Sequence, residues 1–240
     1  MSERIGIGVL CYGQADEVAR NVASVRDHCR RDYALAIFDN TESDEVGEWA
    51  RHHAADVAYV RSPYNVGCAR SRNRLAATFA AMGIRYFIVQ DQDVRWAGDA
   101  GAAMRAVFAR HPKTGVVSWR LAVQQMGSHK WDKTGQLSPP ESPGMCCMYD
   151  MEELRAGAVP LQGWCPEYFA FRFDSDRCFC AHVKGYGVRI ADPGSEPNLV
   201  RHDHPHSAVK RYPWMKHEQA RSRAIFARRA KELGFPGFAN

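Results

Sequence analysis

No apolar run in the chain approaches the roughly 18 residues of a membrane span. The opening Met1-Ser2-Glu3-Arg4 passes into a short apolar stretch that lacks the basic region, longer apolar core and small-residue cleavage site of a secretory signal. These two absences lead us to expect a soluble, cytoplasmic protein. The chain also lacks a C-x-x-C pair, and its eight cysteines, at positions 11, 29, 68, 146, 147, 165, 178 and 180, do not make a zinc framework. They read as buried reduced thiols, with a metal role for Cys146, Cys147, Cys178 and Cys180 as the lesser alternative. Neither G-x-G-x-x-G nor a G-K-[ST] phosphate loop occurs, so neither a dinucleotide-binding nor a P-loop enzyme is indicated. No internal repeat and no long disorder-prone tract stand out.

What the 240 residues do contain is an alternation of β-prone and helical patterns, long enough to bury the core of one α/β domain. Ile5 to Tyr12 reads as a strand, Ala15 to Arg31 as an amphipathic helix, and Leu35 to Phe38 as a second strand ending at Asp39-Asn40. A short helix from Val46 to Ala54, a strand from Asp56 to Val60, a helix from Ala69 to Met82 and a strand from Tyr86 to Gln90 follow. This order predicts a Rossmann-like nucleotide-binding half over residues 1–95, with a mixed, mainly parallel central sheet. Residues 96–207 read as an acceptor and catalytic half. It has a helix from Asp99 to Arg110, a strand from Gly115 to Trp119, a Gly/Ser/Pro-rich loop, a strand from Cys146 to Tyr149, a helix from Ser175 to Lys184 and a strand from Val188 to Ala191. Residues 208–240 make a basic helical tail.

The junction of Tyr86-Phe87-Ile88-Val89-Gln90 with Asp91-Gln92-Asp93 is the most informative stretch. A buried parallel strand delivers both carboxylates to its carboxyl end, where open α/β sheets place their ligands. Two acids one residue apart suit a hard divalent cation whose remaining ligands are water and substrate phosphates. Taken alone, the same residues also read as a polar turn, because Asp is common in turns.

Read together, these pieces resemble a family-2 glycosyltransferase of the GT-A fold, soluble and non-processive, over Ile5 to about Ser207. Asp39 ends the second strand where the family places an acid that reads the nucleotide base. Asn65-Val66-Gly67-Cys68-Ala69-Arg70-Ser71-Arg72-Asn73 is similar to its N-x-G…R-N helix start, and Asp91-Gln92-Asp93 to its D-x-D. Phe173-Asp174-Ser175-Asp176-Arg177-Cys178, followed by Lys184-Gly185-Tyr186, looks like its E-D-x-D-x-C…G-Y segment, with Phe173 in place of the usual Glu. Val200-Arg201-His202 through Ser207 is similar to its late V-x-H-x-x-x-x-S segment.

The resemblance implies an inverting transfer of a sugar from a nucleotide-diphosphate sugar, UDP- or GDP-linked, to an acceptor hydroxyl, with Asp174 as general base. Donor contacts fall on Cys11, Tyr12, Asp39, Asn65, Gly67, Arg70, Arg72, Asn73, Asp91 and Gln92, and metal ligation on Asp93 with His202. His204 is the reserve ligand, because 202, 204 and 206 share one face of an extended segment. Imidazole favours Mn²⁺ over Mg²⁺, so Mn²⁺ is the expected ion and Mg²⁺ the alternative. Without the usual Glu neighbour, Asp174 is expected to ionise readily; its other reading is a cap for the following helix.

Trp164, Tyr168, Phe169, Phe171, Phe173 and the loop from Ala122 to Gly144 are the acceptor-side candidates, although aromatic runs are more often core than recognition surface. The acceptor itself, small molecule, glycan or nucleic acid, is not readable. Processive family members carry Q-x-x-R-W and membrane helices, and neither is present here.

The net charge of +5 concentrates in the tail, where Lys210, Arg211, Lys216, Arg221, Arg223, Arg228, Arg229 and Lys231 form a basic face. That face would meet an anionic partner peripherally, or is simply solvated while Trp214, Ile225, Phe226 and Leu233 turn inward. A sugar nucleotidyltransferase is a rival reading, but Cys11-Tyr12-Gly13-Gln14 offers no Gly-rich basic loop after the first strand. A nucleic-acid-binding protein, or a glycosyltransferase acting on modified DNA bases, is a second.

Overall fold

The structure, a computed structural model, describes residues 4–119, 136–137, 145–191, 199–203 and 214–234. Its centre is a seven-stranded sheet in the order β3-β2-β1-β4-β7-β6-β8. The strands are β1 (Ile5–Cys11), β2 (Tyr33–Asp39), β3 (Ala58–Arg61), β4 (Tyr86–Asp91), β6 (Thr114–Ser118), β7 (Cys146–Asp150) and β8 (Gly187–Ile190). The first four run parallel, as do β6 and β8, while β7 is antiparallel to both its neighbours. The sheet is thus mixed and mainly parallel, as the alternation of elements predicts.

Helices cover both faces, and the strand residues explain how. In β1 every residue is buried, with Ile5, Ile7 and Val9 on one face and Gly6, Gly8 and Leu10 on the other. The isoleucine face packs on α1 (Ala15–His28), α2 (Glu45–His53) and α4 (Ala100–Arg110) through Val18, Val22, Val25, Val46, Met104 and Phe108. The glycine face meets α3 (Cys68–Ala81). A Cβ at Gly6 would lie 2.7 Å from the Phe79 ring, so the missing side chain is what lets the helix sit directly on the strand. Burying a ring such as Phe79 there contributes about 1.5–3 kcal/mol.

On the same face lie α5 (Met151–Arg155), a 3-10 turn (Val159–Leu161), α6 (Phe173–Val183) and α7 (Met215–Glu232). The basic tail is therefore docked. Ile225 and Phe226 are buried, Phe226 meets the Phe179 ring with centroids 6.0 Å apart, and Arg229 pairs with Asp176 on α6 at 2.6 Å. Trp214 departs from the expectation of an inward side chain and is 44% exposed. Lys210 and Arg211 lie outside the described residues.

Two further differences bear on function. The sequence pattern suggests no strands at β5 (Val94–Trp96) and β9 (Val200–His202), yet these pair antiparallel with Val94 opposite His202. Three-residue strands are too short to show a period, and their partners lie over a hundred residues apart. The helix expected from Ser175 begins earlier, at Phe173, after Arg172 takes a left-handed φ of 61°. Asp174 thus lies inside the first turn of α6, and the capping alternative falls away.

Among the described residues no helix is long and apolar enough to cross a membrane. All eight cysteines are free, and burial raises the thiol pKa of Cys146, Cys147, Cys178 and Cys180. None of the four belongs to a metal-capable cluster among the described residues.

Candidate active site

The site forms at the carboxyl edge of the parallel strands. The register sets Cys11 beside Asp39 and Leu10 beside Asp91, so the ends of β1, β2 and β4 open onto one cleft. The turn after β4 is fixed from below. Asn21, fully buried on α1, donates to the carbonyl oxygens of Asp91 (3.1 Å) and Val94 (2.9 Å). Gln90 donates to Asn21 Oδ1 at 2.7 Å and accepts from the Trp96 indole at 2.8 Å. Three polar side chains, Asn21, Gln90 and Trp96, thus bond one another and pin the backbone at Asp91 and Val94, on either side of Asp93. Sequence reasoning missed all three, because nothing in their local pattern distinguishes them from surface or core residues.

The pairing of β5 with β9 then brings His202 to the acids. Its Nε2 lies 2.9 Å from Asp93 Oδ1, and the Asp203 N–H donates to the Asp93 carbonyl oxygen at 3.1 Å. One ligand atom each from Asp91, Asp93 and His202 lie within 4.8 Å of one another. Burial alone would lower the His202 pKa, but the hydrogen bond and charge of Asp93 outweigh it and raise it. Asp91 is also pushed up, by burial first and by Asp93 next, against the pull of Arg72 and His202. Its side chain keeps 40% exposure, so water tempers that burial. Two carboxylates and an imidazole crowded together in this way form a donor set that a divalent cation would relieve. His204 and His206 lie outside the described residues.

Behind these acids stands Arg72, 1% exposed, between Asp91 (3.4 Å) and Asp174 (3.7 Å). Its guanidinium carbon lies 4.3 Å from the centroid of the Phe173 ring. Phe173, where the resembling family has Glu, therefore serves Arg72 through a cation–π contact and is buried, which corrects its assignment to the acceptor. Burial raises the Asp174 pKa to about 7, Arg72 lowering it and Asp91 adding to the rise. The expectation of a readily ionised Asp174 is overturned, because removing a like-charged neighbour matters less than enclosing the carboxyl. Asp174 Oδ1 and Arg72 Nε and Nη1 are buried without hydrogen-bond partners.

The cleft measures about 430 Å³, within the roughly 300–1,000 Å³ of small-molecule sites. Cys11, Tyr12, Asn65, Gly67, Asp91, Gln92 and Asp93 all line it, together with Asn40. Phe169, Ala170, Trp214 and Met215 also line it, the last two from the start of α7. Gly67 is required by geometry: at φ 82° a Cβ would lie 2.8 Å from the Phe169 carbonyl oxygen. The Asn65 side chain accepts from the Gly67 N–H at 2.9 Å and shapes the same turn.

Other expected contacts do not face the cleft. Asp39 is fully buried, accepting from the Thr41 N–H and the Tyr59 hydroxyl, each at 2.8 Å, and its neighbour Asn40 takes the lining position. The Arg70 guanidinium donates to the Pro166 carbonyl oxygen at 3.2 Å. Asn73 clasps the Trp164 backbone, donating to its carbonyl oxygen at 2.7 Å and accepting from its N–H at 2.9 Å. Trp164 and Tyr168, taken from sequence as acceptor residues, are fully buried and belong to the core. Their aromatic bodies pay for burial best inside, and the Tyr168 hydroxyl finds Asp176 at 3.3 Å. Of the loop from Ala122 to Gly144, only residues 136–137 are described.

The profile of glycosyl transferase family 2 matches residues 7–179. Among curated proteins no sequence matches the chain. Solved structures do. TarS 1–349 of S. aureus is similar with a TM-score of 0.64 and 12% identity, over 94% of this chain and 65% of that one. The mannosyltransferase PcManGT of Pyrobaculum calidifontis, solved with GDP-Man and Mn²⁺, gives 0.58 and 17%, over 98% and 73%. GalNAc-T7, solved with UDP, GalNAc and Mn²⁺, gives 0.60 and 12%, over 78% and 42%. The chain thus spans less than two thirds of TarS 1–349 and of GalNAc-T7, and at these identities the likeness is one of fold.

Proposed function

The chain belongs to glycosyl transferase family 2 and has the GT-A fold, and from that premise we propose a metal-dependent, inverting transfer of a sugar from a UDP- or GDP-sugar to an acceptor hydroxyl. The observation that carries the proposal is the convergence of Asp91, Asp93 and His202, linked through Arg72 to the enclosed carboxyl of Asp174. Two structural relatives were solved with a nucleotide or nucleotide sugar and Mn²⁺, which supports the donor class and the ion.

The residues present fit a divalent cation. Two carboxylate oxygens and one imidazole nitrogen favour Mn²⁺ over Mg²⁺, and the ion would replace the proton that His202 and Asp93 share. When bound, Mn²⁺ supplies the charge that offsets the departing diphosphate.

The remaining chemistry belongs to the chain. Asp174 takes the proton of the acceptor hydroxyl as that oxygen attacks the anomeric carbon from the face opposite the diphosphate, which inverts the centre. A carboxyl near 7 suits the task, being half ionised at neutral pH and more basic than an exposed one. Arg72 fixes the spacing of the two acid stations and limits their repulsion. The acceptor, small molecule, glycan or nucleic acid, enters only through its hydroxyl.

The test is incubation with UDP-, GDP-, CDP- and dTDP-sugars and Mn²⁺, with thermal shift and nucleotide release as readouts. Metal-dependent binding with release of UDP or GDP supports the reading. Pyrophosphate formed from a nucleoside triphosphate and a sugar phosphate would replace it with nucleotidyl transfer.

A further inference from the structure

We infer that Trp214, at the start of α7, is a wall of the nucleotide cleft and takes the flat base of the donor against its indole face. The inference rests on the donor reading above and adds a binding residue from a segment beyond the family match, which ends at residue 179.

Exposure is the first ground. Large aromatic side chains in water forfeit their burial energy, and only five large hydrophobics among the described residues are exposed. Two of the five, Trp214 and Tyr12, line this one cleft, although they lie at opposite ends of the sequence. Both side chains keep part of their surface exposed in a concave site, where a flat ring can stack.

Orientation is the second. Trp214 meets the Phe169 ring in a T-shaped contact, centroids 5.7 Å apart and planes at 74°. Such a contact leaves at least one indole face uncovered by Phe169. Phe169 in turn abuts Gly67, whose turn opens α3 beside the cleft, so Trp214 is built onto the nucleotide side of the site.

Anchorage is the third. Arg229 grips Asp176 through two contacts of 2.6 and 3.0 Å. Glu218 accepts from the Phe169 N–H at 3.3 Å, and Arg221 donates to the Glu167 carbonyl oxygen at 3.0 Å. The helix is tied both to α6 and to the segment that carries Phe169, so ordering Trp214 costs the ligand little.

The indole has no charge for phosphate, and the diphosphate belongs with the cation ligands Asp91, Asp93 and His202. The part of the donor with a π-face is the base.

Calorimetric titration of the whole chain with UDP, GDP and pyrophosphate, each with Mn²⁺, tests this. Trp214→Ala should bind the preferred nucleoside diphosphate about tenfold more weakly, while pyrophosphate binding stays unchanged. Trp214→Phe, which keeps a ring, should restore most of the affinity and controls for folding. Unchanged UDP and GDP affinity in Trp214→Ala, or an equal loss for pyrophosphate, would overturn the assignment. A wild-type chain that binds neither nucleotide would instead remove the donor reading on which it stands.

Discussion

Asp93, which lines the cleft, and Asp174, which is buried behind it and is not among its lining residues, carry the same functional group under opposite conditions. Asp93 stands on a turn at the cleft, paired at 2.9 Å with an imidazole and lining open volume with Asp91. Asp174 sits inside a helix turn, 9% exposed, with one arginine at 3.7 Å and no hydrogen-bond partner for Oδ1. The first environment gathers negative charge where a cation can reach it; the second keeps a carboxyl dry enough to hold a proton near neutrality. The proposed roles of ligand and base would thus be set by solvent and neighbour, with Arg72 contacting Asp91 on one side and Asp174 on the other.

The sharpest way to break this comparison is to change Asp174. Asp174→Asn should lower kcat by about 10²–10⁴-fold, the typical contribution of a general base, with donor affinity measured by calorimetry unchanged. Asp93→Ala should do the converse, weakening Mn²⁺-dependent nucleotide binding by about tenfold or more, visible as a flattened Mn²⁺ titration. If both variants lose turnover and binding alike, the stations are not separate.

A pH series sharpens the contrast. With Asp174 raised to about 7, kcat should fall about tenfold per unit below that value, as the base is protonated. Stability should run the other way. A carboxyl raised from 3.8 in the unfolded chain holds its proton longer when folded, so its stabilising effect is complete below 3.8 and is lost as pH rises through 7. Chemical denaturation of wild type and Asp174→Asn across that window should show the wild type losing stability relative to the variant.

The smallest effect concerns Asn73, expected from sequence at the donor. Because both ends of its amide serve the Trp164 backbone, Asn73→Ala should cost about 1–3 kcal/mol of stability, read by denaturant titration, and leave nucleotide affinity nearly intact.

The same contrast explains how much was legible in the sequence. The strand that ends in Asp91-Gln92-Asp93 is written locally, in a β-prone run followed by acids, and the parallel half of the sheet follows from similar runs. Direction of side chains was harder. Asn65 and Gly67 face the cleft, but Arg70 and Asn73, a few residues on, turn to the 164–166 backbone, because a helix sends successive residues to different neighbours. Trp164 and Tyr168 lie in an aromatic-rich segment, whose composition does not say which rings are inside. Burial of Asp174, which sets its chemistry, depends on Arg72 and Phe173 packing together, a relation that neither residue's local sequence contains.

The short pairing of β5 with β9 has a mechanical consequence. Asp93 and His202 are 109 residues apart in the chain, so the proposed ion, if gripped by both, would act as a removable cross-link closing a very long loop. Chelation would then unfasten more than a substrate site: the strand bearing His202 would be free to peel from its partner, and resistance to unfolding would track the free concentration of the ion.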